Sequence, residues 1–193
     1  MIVSRETEKL RGYAQLLRKW NPAINLVAPS TLQDLEIRHI EDSLGLSEIA
    51  SKAQGPWLDI GSGGGLPGIV LGIMRQDLPI TLMESDKRKC SFLRTAIREL
   101  ALSNIQVLNA RIEEATPQNV ANVSARALAP MPLLLSYVSR HSAKDGRAWI
   151  MKGRNWQKEV VEARTFWSFD YIPHESRLEP GAAILEITGL NHA

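Results

Sequence analysis

Asp59-Ile60-Gly61-Ser62-Gly63-Gly64-Gly65-Leu66-Pro67-Gly68 decides the fold. The stretch follows Trp57-Leu58 and precedes Ile69-Val70-Leu71, so a short apolar strand runs into a glycine-rich turn and then into a helix. Glycines at 61, 63, 64 and 65 let the backbone turn sharply and approach a ligand without side-chain interference. Pro67 suits the first turn of the helix, where its missing N–H loses nothing and the positive helix end favours a carboxylate-bearing or anionic ligand. A bare strand-to-helix turn needs fewer glycines.

Two familiar loops do not match. A nicotinamide fingerprint wants glycine at 61, 63 and 66, and position 66 is leucine; a Walker loop wants Gly-Lys-Ser/Thr after the glycines. The Gly61, Gly63, Gly65 spacing fits S-adenosylmethionine-dependent methyltransferases. Beyond the loop, apolar runs alternate with helical patterns: strand 57–60, helix 67–75, strand 80–84, helix 86–101, strand 105–108, strand 122–128, helix 131–142, strand 146–151, helix 155–164, then strands near 166–172 and 182–188. Such alternation predicts a parallel sheet. Seven strands, the last two without a helix between them, predict a class I methyltransferase layout: Rossmann-like α/β, mostly parallel, with an antiparallel hairpin at one edge.

Residues 1–54 read as an N-terminal helical lobe on a catalytic unit spanning 55–193. Leu10, Tyr13, Leu17 and Trp20 make one apolar stripe. Asn21-Pro22 is expected to interrupt that helix, and Ser30 with Gln33 to cap a second one carrying Leu32, Leu35, His39, Asp42 and Leu46 along one side. His39 and Asp42 read either as a buried pair fixing the lobe or as groups facing the catalytic unit. Trp20, Trp57 and Phe92 read as core.

The 193 residues carry 23 basic and 21 acidic side chains, a net charge of +2, which excludes coating of nucleic acid by charge alone but not a local basic patch. One cysteine, Cys90, excludes an internal disulfide, and four scattered histidines give no zinc-ligand spacing. No metal is expected. The N-terminus lacks a signal core and no run approaches a membrane span, so a cytoplasmic protein without membrane contact is expected, as a monomer.

Glu84 ends the second strand, where a carboxylate can accept both ribose hydroxyls of a nucleoside; Ser85 or Asp86 caps the next helix. Asp59 either braces the loop or holds the ligand's amino group. Arg111 and Glu113 are equally a solvated ion pair or part of a ligand site at the sheet edge. The expected cofactor set also takes in Ser62 and Ser85.

The residues further resemble one family, the ribosomal RNA small subunit methyltransferase G family, also called glucose-inhibited division protein B. The resemblance rests on Asn25-Leu26, Arg38-His39-Ile40-Glu41-Asp42-Ser43-Leu44, the loop from Asp59 to Gly68, and Glu84-Ser85 followed by Lys87-Arg88-Lys89 and Phe92-Leu93. Arg111-Ile112-Glu113, Ser124-Ala125-Arg126-Ala127 and Lys152-Gly153 complete it. It implies methyl transfer from S-adenosylmethionine to N7 of one guanine of 16S ribosomal RNA near the decoding site, on the RNA or a small-subunit assembly intermediate. It also implies that Gly61, Leu66, Ile112, Glu113 and Arg126 stand at cofactor-contacting positions.

Guanine N7 has a lone pair and no proton, so positioning, not a general base, is the expected source of catalysis. Arg126 and Lys152 are the positioning candidates. Arg126 either donates to the O6 and N7 side of guanine, orients the methionine carboxylate, or pairs with a surface acid. Lys152 and Arg154, with His39 and Asp42, are the RNA-contact candidates. Two rival readings stay open on residues alone: a nicotinamide-dependent oxidoreductase, disfavoured by Leu66, and an RNA-binding assembly factor without turnover.

Overall fold

The computed structural model describes residues 4–193, and the side chains of residues 36–38, that of Arg38 included, lie outside the described set. One sheet of seven strands crosses the molecule: β1 (Trp57–Ile60), β2 (Ile80–Glu84), β3 (Ile105–Asn109), β4 (Val120–Arg126), β5 (Ser142–Lys152), β6 (Trp167–Glu175) and β7 (Ala183–His192). Their order is β3-β2-β1-β4-β5-β7-β6, with β7 antiparallel to both neighbours and the other pairs parallel. The edge hairpin expected from the missing last helix is therefore present. The chain reverses direction across the sheet between β1 and β4, the switch point outside whose strand ends open α/β sheets bind ligands.

All four side chains of β1 are buried, as a strand covered on both faces requires. On one face α1 (Arg5–Ile24), α2 (Asp42–Ile49), α3 (Gly68–Met74) and α4 (Lys87–Glu99) enclose a core containing Leu17, Leu35, Ile69 and Phe92. On the other face α5 (Met131–His141) and α6 (Trp156–Ala163) cover Leu135, Val138, Val160 and Leu185. Trp57 stacks on Trp149 at 5.9 Å, and Trp20 meets Phe92 edge-on at 5.8 Å, so these aromatics are core groups. Buried polar atoms between β1 and β4 satisfy one another: Trp57 Nε1 donates to Ser124 Oγ at 2.9 Å, and Ser124 donates to Asp59 Oδ1 at 2.6 Å.

Three local expectations differ from the structure. Asn21-Pro22 does not interrupt α1, which runs to Ile24 and ends on Asn25 at φ 50. Asn21 is buried and its Oδ1 accepts the N–H groups of Leu26 and Val27, so the pair closes the helix end instead of breaking it. Ser30 makes no cap: residues Pro29–Thr31 form a single 3-10 turn, and the second helical stretch opens at Glu36 with a π turn to Glu41 before α2. Thr31 is committed elsewhere, to the Ala28 carbonyl and to His39. The fourth strand ends at Arg126 and not at 128, because Ala127 turns out of extended geometry at φ 48.

Candidate active site

The loop after β1 opens on a cavity of about 410 Å³ lined by Gly61, Gly63, Glu84, Ser85, Ile112 and Leu128, among others. Gly63 sits at φ +54, and a Cβ there would have nothing nearer than the Gly61 carbonyl oxygen at 3.8 Å, so bare backbone faces this space. Glu84 is buried and spans loop and helix: Oε2 accepts the Gly63 N–H and Oε1 the Asp86 N–H, each at 2.8 Å. Each oxygen keeps a lone pair for a further donor. Asp86 caps α4 through the Arg88 N–H at 2.7 Å. A cradle of glycine backbone beside a carboxylate with spare acceptors, in a cavity of ligand size, fits the nucleoside part of S-adenosylmethionine.

Not every residue expected at the cofactor reaches the cavity. Ile112 and Glu113 line it, Glu113 in an exposed 3.9 Å ion pair with Arg111. Leu66 is packed into the core, Gly65 lies against Ile69 and Leu93, and the Ser62 hydroxyl donates to the Asp59 carbonyl at 2.8 Å. These three shape the turn from behind.

Asp59 is 1% exposed and lies beneath the loop, against the start of α3: a Cβ on Gly68 would come within 2.9 Å of its Oδ2. Oδ2 accepts no hydrogen bond among the described residues. Burial pushes the carboxyl up to about 6, against the lowering effect of the Ser124 hydroxyl. Because the folded value exceeds the unfolded one, the folded chain binds the proton more tightly, and stability from this group falls as pH rises from about 4 to 6. Asp59→Asn keeps the Ser124 contact without the charge. The stability of the native chain minus that of Asp59→Asn should therefore fall by roughly 2 kcal/mol between pH 4 and 7 in chemical denaturation. A difference that stays constant would place the charge elsewhere.

Across the switch point, β4 ends on Arg126. Its Nη2 donates to His39 Nδ1 at 2.5 Å, and Nη1 lies 3.9 Å from Asp42 Oδ2. A guanidinium only donates, so Nδ1 accepts and His39 carries its proton on Nε2. That nitrogen donates to Thr31 Oγ1 at 2.7 Å, and the threonine hydroxyl passes on to the Ala28 carbonyl at 2.8 Å. His39 and Asp42 thus converge on Arg126 and not on each other. Burial lowers Arg126 from its usual value and raises Asp42, and the two charges oppose both shifts. Arg126 and Asp42 line two cavities on the lobe side, of about 280 and 510 Å³, the larger also bordered by Arg154 and Glu179. Ala127 borders both the smaller of these and the glycine-loop cavity.

Lys152 is an internal pin: Nζ bonds the Ala129 carbonyl at 2.8 Å and Glu159 Oε2 at 2.7 Å, and the same Glu159 oxygen accepts the Met131 N–H. It fixes the loop after β4. Arg154 is exposed, 3.6 Å from Glu179.

Supporting residues emerge that sequence reading missed. Tyr13, wholly buried in the apolar stripe of α1, donates its hydroxyl to the Gly64 carbonyl at 2.5 Å, tying the lobe to the glycine loop. Burial holds that phenol well above its usual range. At the end of α5, Arg140 bonds the Ala115 carbonyl and His141 the Ile112 carbonyl, clamping the loop that lines the glycine-loop cavity. The rule that buried hydroxyl and imidazole groups need partners would have flagged Tyr13 and His141, but not which partners.

Comparison with known proteins agrees with this geometry. A sequence model of the family described as rRNA small subunit methyltransferase G matches residues 6–183. The chain is 62% identical to ribosomal RNA small subunit methyltransferase G of Paracoccus denitrificans (strain Pd 1222), over all of both chains. It is 50% identical to the protein of that name from Ruegeria sp. (strain TM1040), over 97% of this chain and 93% of the relative. In fold it resembles a SAM-dependent methyltransferase from Aquifex aeolicus, with TM-score 0.62 and 15% identity over 91% of this chain and 98% of the other. It also resembles M. jannaschii TYW2 in complex with AdoMet, with TM-score 0.57 and 10% identity over 79% and 77%. With the matched region covering both the glycine loop and the Arg126 cluster, this chain belongs to the rRNA small subunit methyltransferase G family.

Proposed function

We propose that this chain transfers a methyl group from S-adenosylmethionine to N7 of a guanine in 16S ribosomal RNA, near the decoding site. The observation that carries the reading is that Ala127 lines both the glycine-loop cavity and the lobe-side cavity bordered by Arg126, in a member of this family. Gly61, Gly63, Glu84, Ser85, Ile112 and Glu113 hold the donor. The lobe of residues 1–54 roofs the acceptor side of the catalytic unit 55–193. The substrate is the RNA or a small-subunit assembly intermediate, and the enzyme acts as a cytoplasmic monomer. No helix among the described residues is long and apolar enough to cross a membrane.

S-adenosylmethionine supplies an electrophilic methyl on a cationic sulfur, open to the in-plane lone pair of N7. No proton leaves N7, so the chain's task is to orient the base and exclude water. Arg126 donates to the acceptor edge of guanine. His39 is a positioning residue, its Nδ1 occupied by Arg126, and so no base. Lys152 holds the loop after β4, and the exposed Arg154 at the cavity rim faces the RNA. The A-form major groove is too narrow for side chains, so the guanine enters from a loop or splayed out.

Incubation with tritiated S-adenosylmethionine and unmethylated ribosomal RNA is expected to label 16S and not 23S RNA. No labelled RNA, or a stabilising response to nicotinamide dinucleotides in melting, would favour the rivals.

A further inference from the structure

The lobe-side cavity carries a pattern of charges that a phosphate would not select. Arg126 and Arg154 stand on it beside Asp34, Asp42 and Glu179, so an anion would meet three carboxylate residues around two guanidiniums. The mixed lining suits a neutral group with acceptors on one edge and donors on another. Asp42 borders three cavities on this side, both of those lined by Arg126 and a third along α2. Among the described residues its carboxylate accepts no hydrogen bond, and the cation paired with it there, Arg126 Nη1, is at 3.9 Å, beyond hydrogen-bond reach.

We propose that Asp42 reads the acceptor guanine by accepting hydrogen bonds from its N1–H and 2-amino group, while Arg126 donates to O6. The inference rests on the guanine-N7 reading above and follows from which residues share the cavity. Ala127 borders the donor cavity and, together with Arg126 and Asp42, the smaller lobe-side cavity; Arg126 is its chain neighbour at the end of β4, and the Asp42 carboxylate is 3.9 Å from that guanidinium. Around a guanine the edge runs N7, O6, then N1–H and the 2-amino group. With N7 turned towards Ala127, O6 meets the guanidinium and the two donors meet the carboxylate. Adenine reverses the match, with an amino donor where guanine has O6 and an acceptor at N1, so it would set donor against Arg126 and acceptor against Asp42. The His39–Thr31 chain holds Arg126 in this orientation, which gives the lobe a part in choosing the base.

The test uses full-length 16S RNA assembled by ligation with guanosine or inosine at the target position. Inosine keeps N7, O6 and N1–H and lacks only the 2-amino group. The native enzyme is expected to favour guanosine by about 10- to 100-fold in kcat/KM, the range for a hydrogen bond to a charged partner. Asp42→Ala should methylate guanosine RNA slowly and bring the guanosine-to-inosine ratio within about threefold of unity, with Asp42→Asn between. A loss of lobe packing alone would slow both substrates and leave the ratio as it was. The assignment is overturned if the native enzyme does not distinguish the two RNAs. It is overturned equally if either variant that still binds S-adenosylmethionine in calorimetry keeps the native ratio. Failure of the native enzyme on guanosine RNA strikes instead at the methyltransferase reading.

Discussion

Gly63→Val is expected to abolish S-adenosylmethionine binding, by about 100-fold or more in affinity, while leaving the chain folded. Two effects act together. The backbone at residue 63 has φ +54, a left-handed conformation that a β-branched residue adopts only with strain of roughly 1–3 kcal/mol. The position opens towards the cavity, with no atom nearer than 3.8 Å to a Cβ, so the fold has room for the side chain but the ligand does not. Relief of the strain by rotating the peptide would also turn the Gly63 N–H away from Glu84 and loosen the carboxylate placed for the ribose. Calorimetry on a variant with native circular dichroism measures this. Native affinity would remove the loop from the cofactor site.

Arg126→Lys is expected to lower turnover by about 100-fold while changing the affinity for S-adenosylmethionine by less than about threefold. Lysine keeps the charge but gathers its three donors on one nitrogen in place of the planar fork, so the nitrogen that bonds His39 must also be the one that reaches the cavity. Single-turnover methylation and calorimetry separate the two quantities. The arginine side chain borders the lobe-side cavities and Ala127 borders the donor cavity, which is why the effect belongs to the acceptor side. Parallel loss of cofactor affinity and turnover would instead assign Arg126 to the methionine carboxylate, the alternative that sequence left open.

The features legible in the sequence are those specified by neighbouring residues. The glycine loop, Glu84 at the end of β2, the Asp86 cap of α4 and the strand alternation are each set within a few positions, and each takes the form its residues demand. The edge hairpin followed from one local fact, the missing helix between β6 and β7. What escaped depends on contacts distant in sequence. Arg126 meets His39 across 87 positions, and Tyr13 meets Gly64 across 51. In a helical stripe a tyrosine reads as a hydrophobe, and only the fold reveals which carbonyl its hydroxyl finds. Lys152 read as a positioning and RNA-contact candidate, and its bonds to Ala129 and Glu159 were not legible because those partners come from a loop and a helix elsewhere in the chain. Asn21-Pro22 read as a break because the rule for proline concerns helix interiors, whereas this pair lies in the last turn, where Asn21 serves the chain that leaves it.

Methyl transfer to N7 of one guanine is read directly when unmodified 16S RNA is methylated with the purified protein and S-adenosylmethionine and then treated with borohydride and aniline. That chemistry cleaves RNA at N7-methylguanosine, because the quaternised ring is reduced and lost, and primer extension locates the break. One new cleavage is expected, at a guanine near the decoding site, absent without S-adenosylmethionine and absent with Gly63→Val. Methyl label in the RNA without any such cleavage, or cleavage at guanines scattered through the molecule, would contradict it.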